Sequence, residues 1–205
     1  ELSTELLQTT SNLLLQLPQQ LPHLDPTSRT LALSLLENPS PLLLKIHSLS
    51  SHPIATTKFR THGDFHLGQV LDTGNQFVII DFEGEPQRSI TQRRRKQSPV
   101  RDLAGLCRSL DYAAQSVLQD FPASHLLLPP IVNRWRDLAS HAFLQGWSQT
   151  VAPAPFAPSP DDLAWLLHSF LLEKALYEVS YELHHRPAWL PIPLNGLLQL
   201  LSTPT

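Results

Sequence analysis

The chain has 205 residues, of which 41% are hydrophobic and 16% charged, a balance typical of folded globular proteins rather than disordered ones. Its net charge of −3 excludes a strong general attraction to nucleic acid or an anionic membrane, so neither is an expected partner. The single cysteine, Cys107, excludes an internal disulfide and favours a cytoplasmic location, and no apolar stretch approaches the roughly 20 residues of a membrane helix.

Residues 1–56 are predicted to form a helical scaffold. Leucines recur at helical spacing over residues 2–17, and Pro18 and Pro22 are expected to end this helix because proline removes a backbone donor. Asp25–Pro26 resembles an N-cap followed by the first helical residue, and residues 40–41 repeat the signal. Three successive helices are therefore expected before the pattern changes.

From Thr57 onward the sequence predicts short β segments joined by loops. The segments at residues 69–71 and 77–81 flank a Thr-Gly-Asn turn at residues 73–75, which favours a β-hairpin. Helical spacing returns at residues 103–118 and 132–143. A proline-rich stretch at residues 153–158 is expected to be an extended linker.

The last part of the chain is predicted to be helical again. Ser159, a following proline and two aspartates form a strong helix start, and a long helix is expected to run to about His184. Arg186–Pro187 should end it, and residues 193–201 should form a final short helix. The expected fold class is mainly α with a small β-hairpin region.

Two neighbouring segments carry the chemistry. The first is His62-Gly63-Asp64-Phe65-His66-Leu67-Gly68-Gln69, and the second ends twelve residues later at Asp81, after four apolar residues. Phosphoryl transfer needs a carboxylate that orients the attacking hydroxyl and further oxygen ligands that hold Mg²⁺ against nucleotide phosphates. A hairpin can bring Asp64, Gln69 and Asp81 together, so the spacing predicts this class of reaction.

The combined motifs resemble the maltokinase family, which belongs to the aminoglycoside phosphotransferase-like kinases. The resemblance spans roughly residues 58–201 and includes the maltokinase-like domains fused to trehalose synthase. It is carried by the segments HGDFHLGQVL, VIIDFEGEP, SPVRDLAGLCRSLDYAA, EKALYEVSYEL and RPAWLPIPLNGLL. It implies a protein-kinase-like C-terminal lobe in one domain, with residues 1–56 as a lead-in and 57–205 as the catalytic lobe.

The resemblance implies transfer of a phosphoryl group from ATP to the anomeric hydroxyl of maltose. Maltose and ATP are then the expected ligands, Mg²⁺ the expected cofactor, and a trehalose synthase domain a further partner. Asp64 would be the base and His62 would brace its loop, while Gln69 and Asp81 would hold Mg²⁺. Asp102 would support the loop through its backbone amides.

The same resemblance implies a maltose site near the end of the chain. Lys174, Tyr177 and Tyr181 are spaced to share one helical face, and tyrosine suits glucose because it combines an apolar ring with a polar tip. The full set implied to line the site is Tyr112, Lys174, Tyr177, Tyr181, Glu182, Arg186 and Trp189. Without the resemblance, the two tyrosines would be interpreted as core packing.

An amino-terminal ATP lobe is not recognisable in this sequence. The residues before His62 contain no glycine for a phosphate-covering loop, and Lys45 lies in a predicted helix. The chain is therefore expected to be part of a longer kinase. Two alternatives stay open: a non-catalytic module that binds maltose, α-glucan or a partner enzyme, and a kinase of another small-molecule hydroxyl.

Residues 93–96, Arg-Arg-Arg-Lys, also have more than one interpretation. They fit a solvated loop, a group that lies near a bound phosphate, or a nucleic-acid patch, and the acidic net charge argues against the last.

Overall fold

The computed structural model describes residues 2–51, 54, 56–86, 88–121 and 127–202. Within these ranges the protein is mainly helical and has one two-stranded antiparallel sheet, as the sequence predicts. Contacts group the chain into two compact units: residues up to Ile54 together with those from Leu171 onward, and the residues between them. Compactness alone does not establish an independently folding domain, so the expected single domain stays a prediction.

The elements are numbered along the chain. The helices are α1 (Leu2–Gln20), α2 (Pro26–Glu37), α3 (Ser40–Ser51), α4 (Ile90–Arg93), α5 (Val100–Asp120), α6 (Leu128–Val151), α7 (Pro160–His185) and α8 (Pro191–Ser202). The strands are β1 (Val70–Asp72) and β2 (Phe77–Ile79), and turns of 3₁₀ helix occupy Leu21–His23, Leu67–Gln69 and Pro187–Trp189. None of the described helices is long and apolar enough to cross a membrane.

The first unit is held by a core made almost entirely of leucine. Helix α1 packs on α2 and α3, and α8 packs on α2 and α3 as well. The buried positions of each helix recur at helical spacing, so one stripe of each faces the core. The largest fully buried members of this core are Leu6, Leu13, Leu17, Leu35, Leu42, Ile46, Leu172, Leu176, Leu190, Leu194 and Leu197.

Two of the predicted helix starts, at Asp25 and Ser159, are confirmed by their capping bonds, whereas the third helix already includes Ser40. Asp25 Oδ1 accepts from the amides of Thr27 at 2.9 Å and Ser28 at 3.1 Å, and Pro26 is the first residue of α2. Ser159 Oγ accepts from the amide of Asp162 at 3.1 Å immediately before α7. These bonds satisfy amides that have no partner inside the helix, which is why both helices begin where they do.

Three sequence-based expectations are wrong in detail. Helix α1 does not stop at Pro18 but continues to Gln20, because Leu17 is fully buried and a proline in the last turn removes only one bond. The helix predicted at 132–143 extends over the whole of α6. The 153–158 stretch is not extended but folds into turns, with the Ala154 and Ala157 amides bonded three residues back and the Phe156 ring 4.8 Å from Phe59.

The second unit is built on the packing of α5 against α6. A buried charge network joins the two helices: Asp111 accepts from Arg108 Nη1 at 2.7 Å and from Arg136 Nη1 at 3.0 Å. Both carboxylate oxygens are used, which compensates for burying the charge. Helix α5 also contacts the 3₁₀ turn at Leu67–Gln69, and this contact places the loop described next.

Candidate active site

The β-hairpin brings together two polar side chains that lie twelve residues apart in sequence. Val70 pairs with Ile79, and the Ile80 amide donates to the Gln69 carbonyl at 3.0 Å. This register sets the Gln69 side chain beside Asp81, and Gln69 Nε2 donates to Asp81 Oδ2 at 3.1 Å. The two residues expected to hold a metal ion are therefore neighbours at the open end of the hairpin.

Asp81 has an unusual backbone conformation. Its φ of 60° lies in the left-handed region, and it is the one non-glycine residue with positive φ in the described part of the chain. Residues other than glycine adopt this region at a cost of roughly 1–3 kcal/mol, and such strain concentrates at functional sites. The conformation identifies Asp81 as a functional candidate independently of its place in the motif.

His62 links two segments, the HGD loop (His62–Gln69) and the DFEG loop (Asp81–Gly84). Its Nε2 lies 2.7 Å from the carbonyl of Ile80, the residue before Asp81. A carbonyl can only accept, so Nε2 carries the proton, and Nδ1 then faces the Asp64 amide at 3.4 Å. The ring also packs 4.9 Å from the Phe82 ring.

Asp102, in the first turn of α5, contacts the HGD loop with both carboxylate oxygens. The His62 amide donates to Oδ2 at 2.7 Å and the Gly63 amide to Oδ1 at 2.9 Å. Burial raises the pKa of Asp102 above its ordinary value, and the two amide bonds and the nearby His62 act in the opposite direction. The contact fixes the backbone directly before Asp64.

The HGD and DFEG loops touch through two glycines. Gly63 has φ of 85° and Gly84 has φ of 80°, and a Cβ built on Gly63 would stand 3.2 Å from Gly84 Cα. The stem of Arg93 lies behind Gly84, and Arg93 Nη1 donates to the Glu83 carbonyl at 3.5 Å. This arginine of the basic run supports a loop, whereas residues 94–96 are exposed.

Asp64 is partly buried beside a histidine that sequence reasoning did not single out as a site residue. Its Oδ2 lies 3.9 Å from His66 Nε2, and its side chain is 18% exposed. His66 Nδ1 accepts from the Gly68 amide at 3.1 Å and so caps the turn that leads to Gln69. The sequence offered one signal for His66, which is its position three residues before Gln69, where a side chain can cap the turn.

In the first unit, the residues expected to line a sugar site form a continuous aromatic row on α7. The rings of Tyr177 and Tyr181 lie 6.2 Å apart and nearly parallel, and His185 extends the row at 4.5 Å from Tyr181. Lys174 Nζ lies 4.9 Å above Tyr177. The Nδ1 of His185 lies 2.9 Å from the Tyr181 carbonyl, which holds its ring in this row.

Arg186 continues this surface, and Glu182 holds it in place. The guanidinium Cζ lies 5.4 Å from the ring centres of both Tyr181 and Trp189. Its Nη2 and Nε donate to the two carboxylate oxygens of Glu182 at 2.6 and 3.0 Å. Because the Glu182 side chain is 1% exposed and that of Arg186 49%, the arginine presents its group on the surface.

Tyr112 belongs to the second unit, on α5. Arg108 Cζ lies 5.7 Å from its ring centre, and the same arginine takes part in the buried network with Asp111. Tyr112 therefore belongs to the same unit as the HGD loop, whereas the aromatic row belongs to the first unit.

The donor set at the end of the hairpin suits a magnesium ion. Mg²⁺ prefers oxygen ligands and is usually held by one or two side chains, with waters and substrate phosphates completing the octahedron. Asp81 supplies an exposed carboxylate, and Gln69 lies beside it with its amide nitrogen toward Asp81 Oδ2, so its amide oxygen would join an ion after the amide group rotates. These two residues fit an ion that arrives with a nucleotide.

The structure thus holds the Asp64 carboxylate on a braced glycine loop and brings Gln69 and Asp81 together. In sequence, the chain is similar to glucosamine kinases. The Streptacidiphilus jiangxiensis glucosamine kinase is 31% identical over 140 residues, or 68% of this chain and 31% of that protein. The enzyme of Mycolicibacterium smegmatis (strain ATCC 700084 / mc(2)155) is 27% identical over 144 residues, covering 70% and 35%. No family model matches.

Solved structures give the same result for the fold. A glucosamine kinase in complex with glucosamine, ADP and inorganic phosphate superposes with a TM-score of 0.74 at 22% identity, covering 97% of this chain and 48% of that one. A second glucosamine kinase structure, crystal form A, gives 0.73 at 23% identity, covering 97% and 47%. The chain thus has a kinase-like fold similar to that of sugar kinases, and it spans about a third of the curated relatives' length.

Proposed function

We propose that this chain forms the sugar-phosphorylating part of an ATP-dependent sugar kinase. The observation that carries the proposal is the pairing of the HGD and DFEG loops. His62 bridges them, Asp102 binds the loop amides, and the hairpin sets Gln69 beside Asp81. Similarity to glucosamine kinases over two thirds of the chain supports the same reaction class.

In this proposal Asp64 orients the acceptor hydroxyl and takes its proton. The hydroxyl oxygen forms a bond to the terminal phosphorus of ATP while the bond from that phosphorus to the bridging oxygen breaks, and ADP leaves. Gln69 and Asp81 would hold Mg²⁺, which supplies positive charge against the phosphate oxygens when bound. Asp102 and His62 act before the reaction, because they keep the loop in one conformation and so lower the cost of positioning.

The nucleotide is proposed to be ATP, and most of its contacts are expected to come from residues outside this chain. ADP is present in the glucosamine kinase complex that shares the fold. A phosphate-covering loop and a strand lysine, which kinases use to hold the nucleotide, are not recognisable in the sequence.

Two sugars are candidates for the acceptor, and each is supported by a different observation. Glucosamine is supported by the names of the similar proteins. Maltose is supported by the motif set, and the rings of Tyr177 and Tyr181 in the aromatic row, with Trp189 on the other side of Arg186, suit contact with glucose units. We propose glucosamine as the first acceptor to test and maltose as the second.

The test is Asp64→Asn in the complete gene product, with phosphorylation of glucosamine and maltose followed by ³¹P NMR. The amide keeps the shape but accepts a proton poorly, so we expect turnover to fall by about 10²–10⁴-fold. Asp72→Asn is the matched control, because within the described residues the Asp72 carboxylate bonds only the Gly74 amide of the hairpin turn, at 2.7 Å.

Near-wild-type turnover of Asp64→Asn would show that the proposed mechanism is wrong. If the wild-type protein instead bound sugar equally well with and without nucleotide and phosphorylated neither acceptor, a non-catalytic binding module would replace the kinase proposal.

A further inference from the structure

One face of α5 follows the backbone of the HGD loop residue by residue. Asp102, Gly105 and Ser109 are three and four residues apart, so they lie along one side of the helix. They contact the loop in the same order in which the loop runs, at His62 and Gly63, then at Phe65, then at Leu67. Asp102 has a role in the proposed function, whereas Gly105 and Ser109 do not.

Gly105 allows the closest approach between helix and loop. A Cβ at this position would stand 2.6 Å from the Phe65 carbonyl oxygen, whereas ordinary contact begins at 3.4 Å. The obstacle is backbone and cannot rotate away, so a methyl group would force the loop or the helix to move by about 0.8 Å, the difference between those distances. Glycine inside a helix costs about 1 kcal/mol relative to alanine, and at Gly105 the close approach to the Phe65 carbonyl is what the missing Cβ permits.

Ser109 fixes the far end of the loop. Its Oγ accepts from the Leu67 amide at 2.9 Å. Leu67 is the first residue of the 3₁₀ turn that ends at Gln69, and the first amides of such a turn have no partner within it. The bond therefore orients the turn that presents the Gln69 side chain to Asp81.

We propose that Gly105 and Ser109 are positioning residues for the HGD loop. Gly105 determines how close the segment that carries Asp64 lies to α5, and Ser109 determines the orientation of the turn that carries Gln69. This inference rests on the proposed function for its catalytic consequence. Its structural part, the shape of the loop, is independent of any activity.

The primary measurement is amide hydrogen exchange in the HGD loop of the complete gene product, with Ser109→Ala and Gly105→Ala. We expect exchange at Leu67 to become about tenfold faster in Ser109→Ala, the amount that one net hydrogen bond accounts for. In Gly105→Ala the amides of residues 62–67 should all exchange faster, because the whole segment is displaced.

Two matched controls carry the same chemical changes elsewhere. Ser116→Ala removes a hydroxyl from α5 that bonds only the Ala113 carbonyl, at 2.9 Å. Gly146→Ala adds a methyl group to α6 where a Cβ would meet nothing within 4 Å. Neither control should alter exchange in the HGD loop.

Kinetics give the second measurement. We expect kcat to fall about 100-fold in Gly105→Ala, since a misplacement near 1 Å has about this effect, with little change in KM for the sugar. Ser109→Ala should lose about tenfold in kcat. A general loss of stability would instead lower the amount of active enzyme without this pattern of loop exchange.

The outcomes separate the two proposals. If exchange and kcat of Ser109→Ala and Gly105→Ala match those of their controls, the positioning role is overturned. If Asp64→Asn retains activity, the proposed function is overturned, and exchange alone then decides the role of Gly105 and Ser109.

Discussion

Each of the two compact units is stabilised internally in a different way. In the first, leucine side chains fill a core, and the aromatic row stands on a helix whose opposite side is buried in that core. In the second, the HGD loop is fixed mainly through its backbone, by Asp102 and Ser109 as acceptors and by glycines at the close contacts. The first unit should be sensitive to atoms removed, and the second to atoms added.

The largest expected effect comes from removing core atoms in the first unit. Leu35 is fully buried, and Leu35→Ala should lower the free energy of unfolding by about 2–5 kcal/mol through lost burial and a residual cavity. Leu44 is 69% exposed, so Leu44→Ala is the matched control and should change it by less than about 0.5 kcal/mol. Urea unfolding measures both, and equal effects would contradict the comparison.

A smaller effect is expected at the ion pair that supports the aromatic row. Glu182→Gln keeps the side-chain shape but leaves Arg186 one uncharged acceptor oxygen in place of two carboxylate oxygens, so sugar affinity should fall about tenfold. Calorimetric titration with maltose and with glucosamine measures this affinity, and Glu37→Gln on the exposed end of α2 is the control.

The same pair offers a test of how Glu182 acts. If Glu182 works by holding Arg186, then Glu182→Gln should add little to Arg186→Ala in the double variant. Additive losses would mean that Glu182 has a separate role at the sugar.

The smallest effect concerns pH and Asp102. Its pKa in the folded chain is raised by burial above 3.8, so its contribution to stability is complete below pH 3.8 and is lost as pH rises through the raised pKa. Relative to Asp102→Asn, the unfolding free energy of the wild type should therefore decline across this window and then level off. Urea unfolding between pH 3.5 and 7 measures it, and a difference that grows with pH would contradict the prediction.

Local signals in the sequence predicted most of the helices. Leucine periodicity and the caps at Asp25 and Ser159 act within a few residues, so they can be recognised without the fold. Pro18 and the 153–158 stretch were misjudged because packing, at Leu17 and between Phe156 and Phe59, outweighed a local preference.

In the candidate site, too, the contacts within a short stretch of sequence were predictable and the contacts between distant residues were not. The spacing of Asp64, Gln69 and Asp81 predicted a hairpin that joins them, and the hairpin joins Gln69 to Asp81. The contacts of Gly105 and Ser109 join residues about 40 positions apart, and sequence patterns carry little information at that range. The available hint was a glycine inside a strong helical pattern, where it is unfavourable.

Because Gly63 and Gly84 are in contact, the HGD and DFEG loops form one structural unit that could be transferred only as a whole. A Cβ on Gly63 would press on Gly84 Cα at 3.2 Å, and both glycines have a positive φ that a larger residue adopts only with strain. The shape of the HGD loop at Gly63 therefore depends on the DFEG loop behind it. A designer who transplants residues 62–69 into another scaffold would need to transplant residues 81–84 with them.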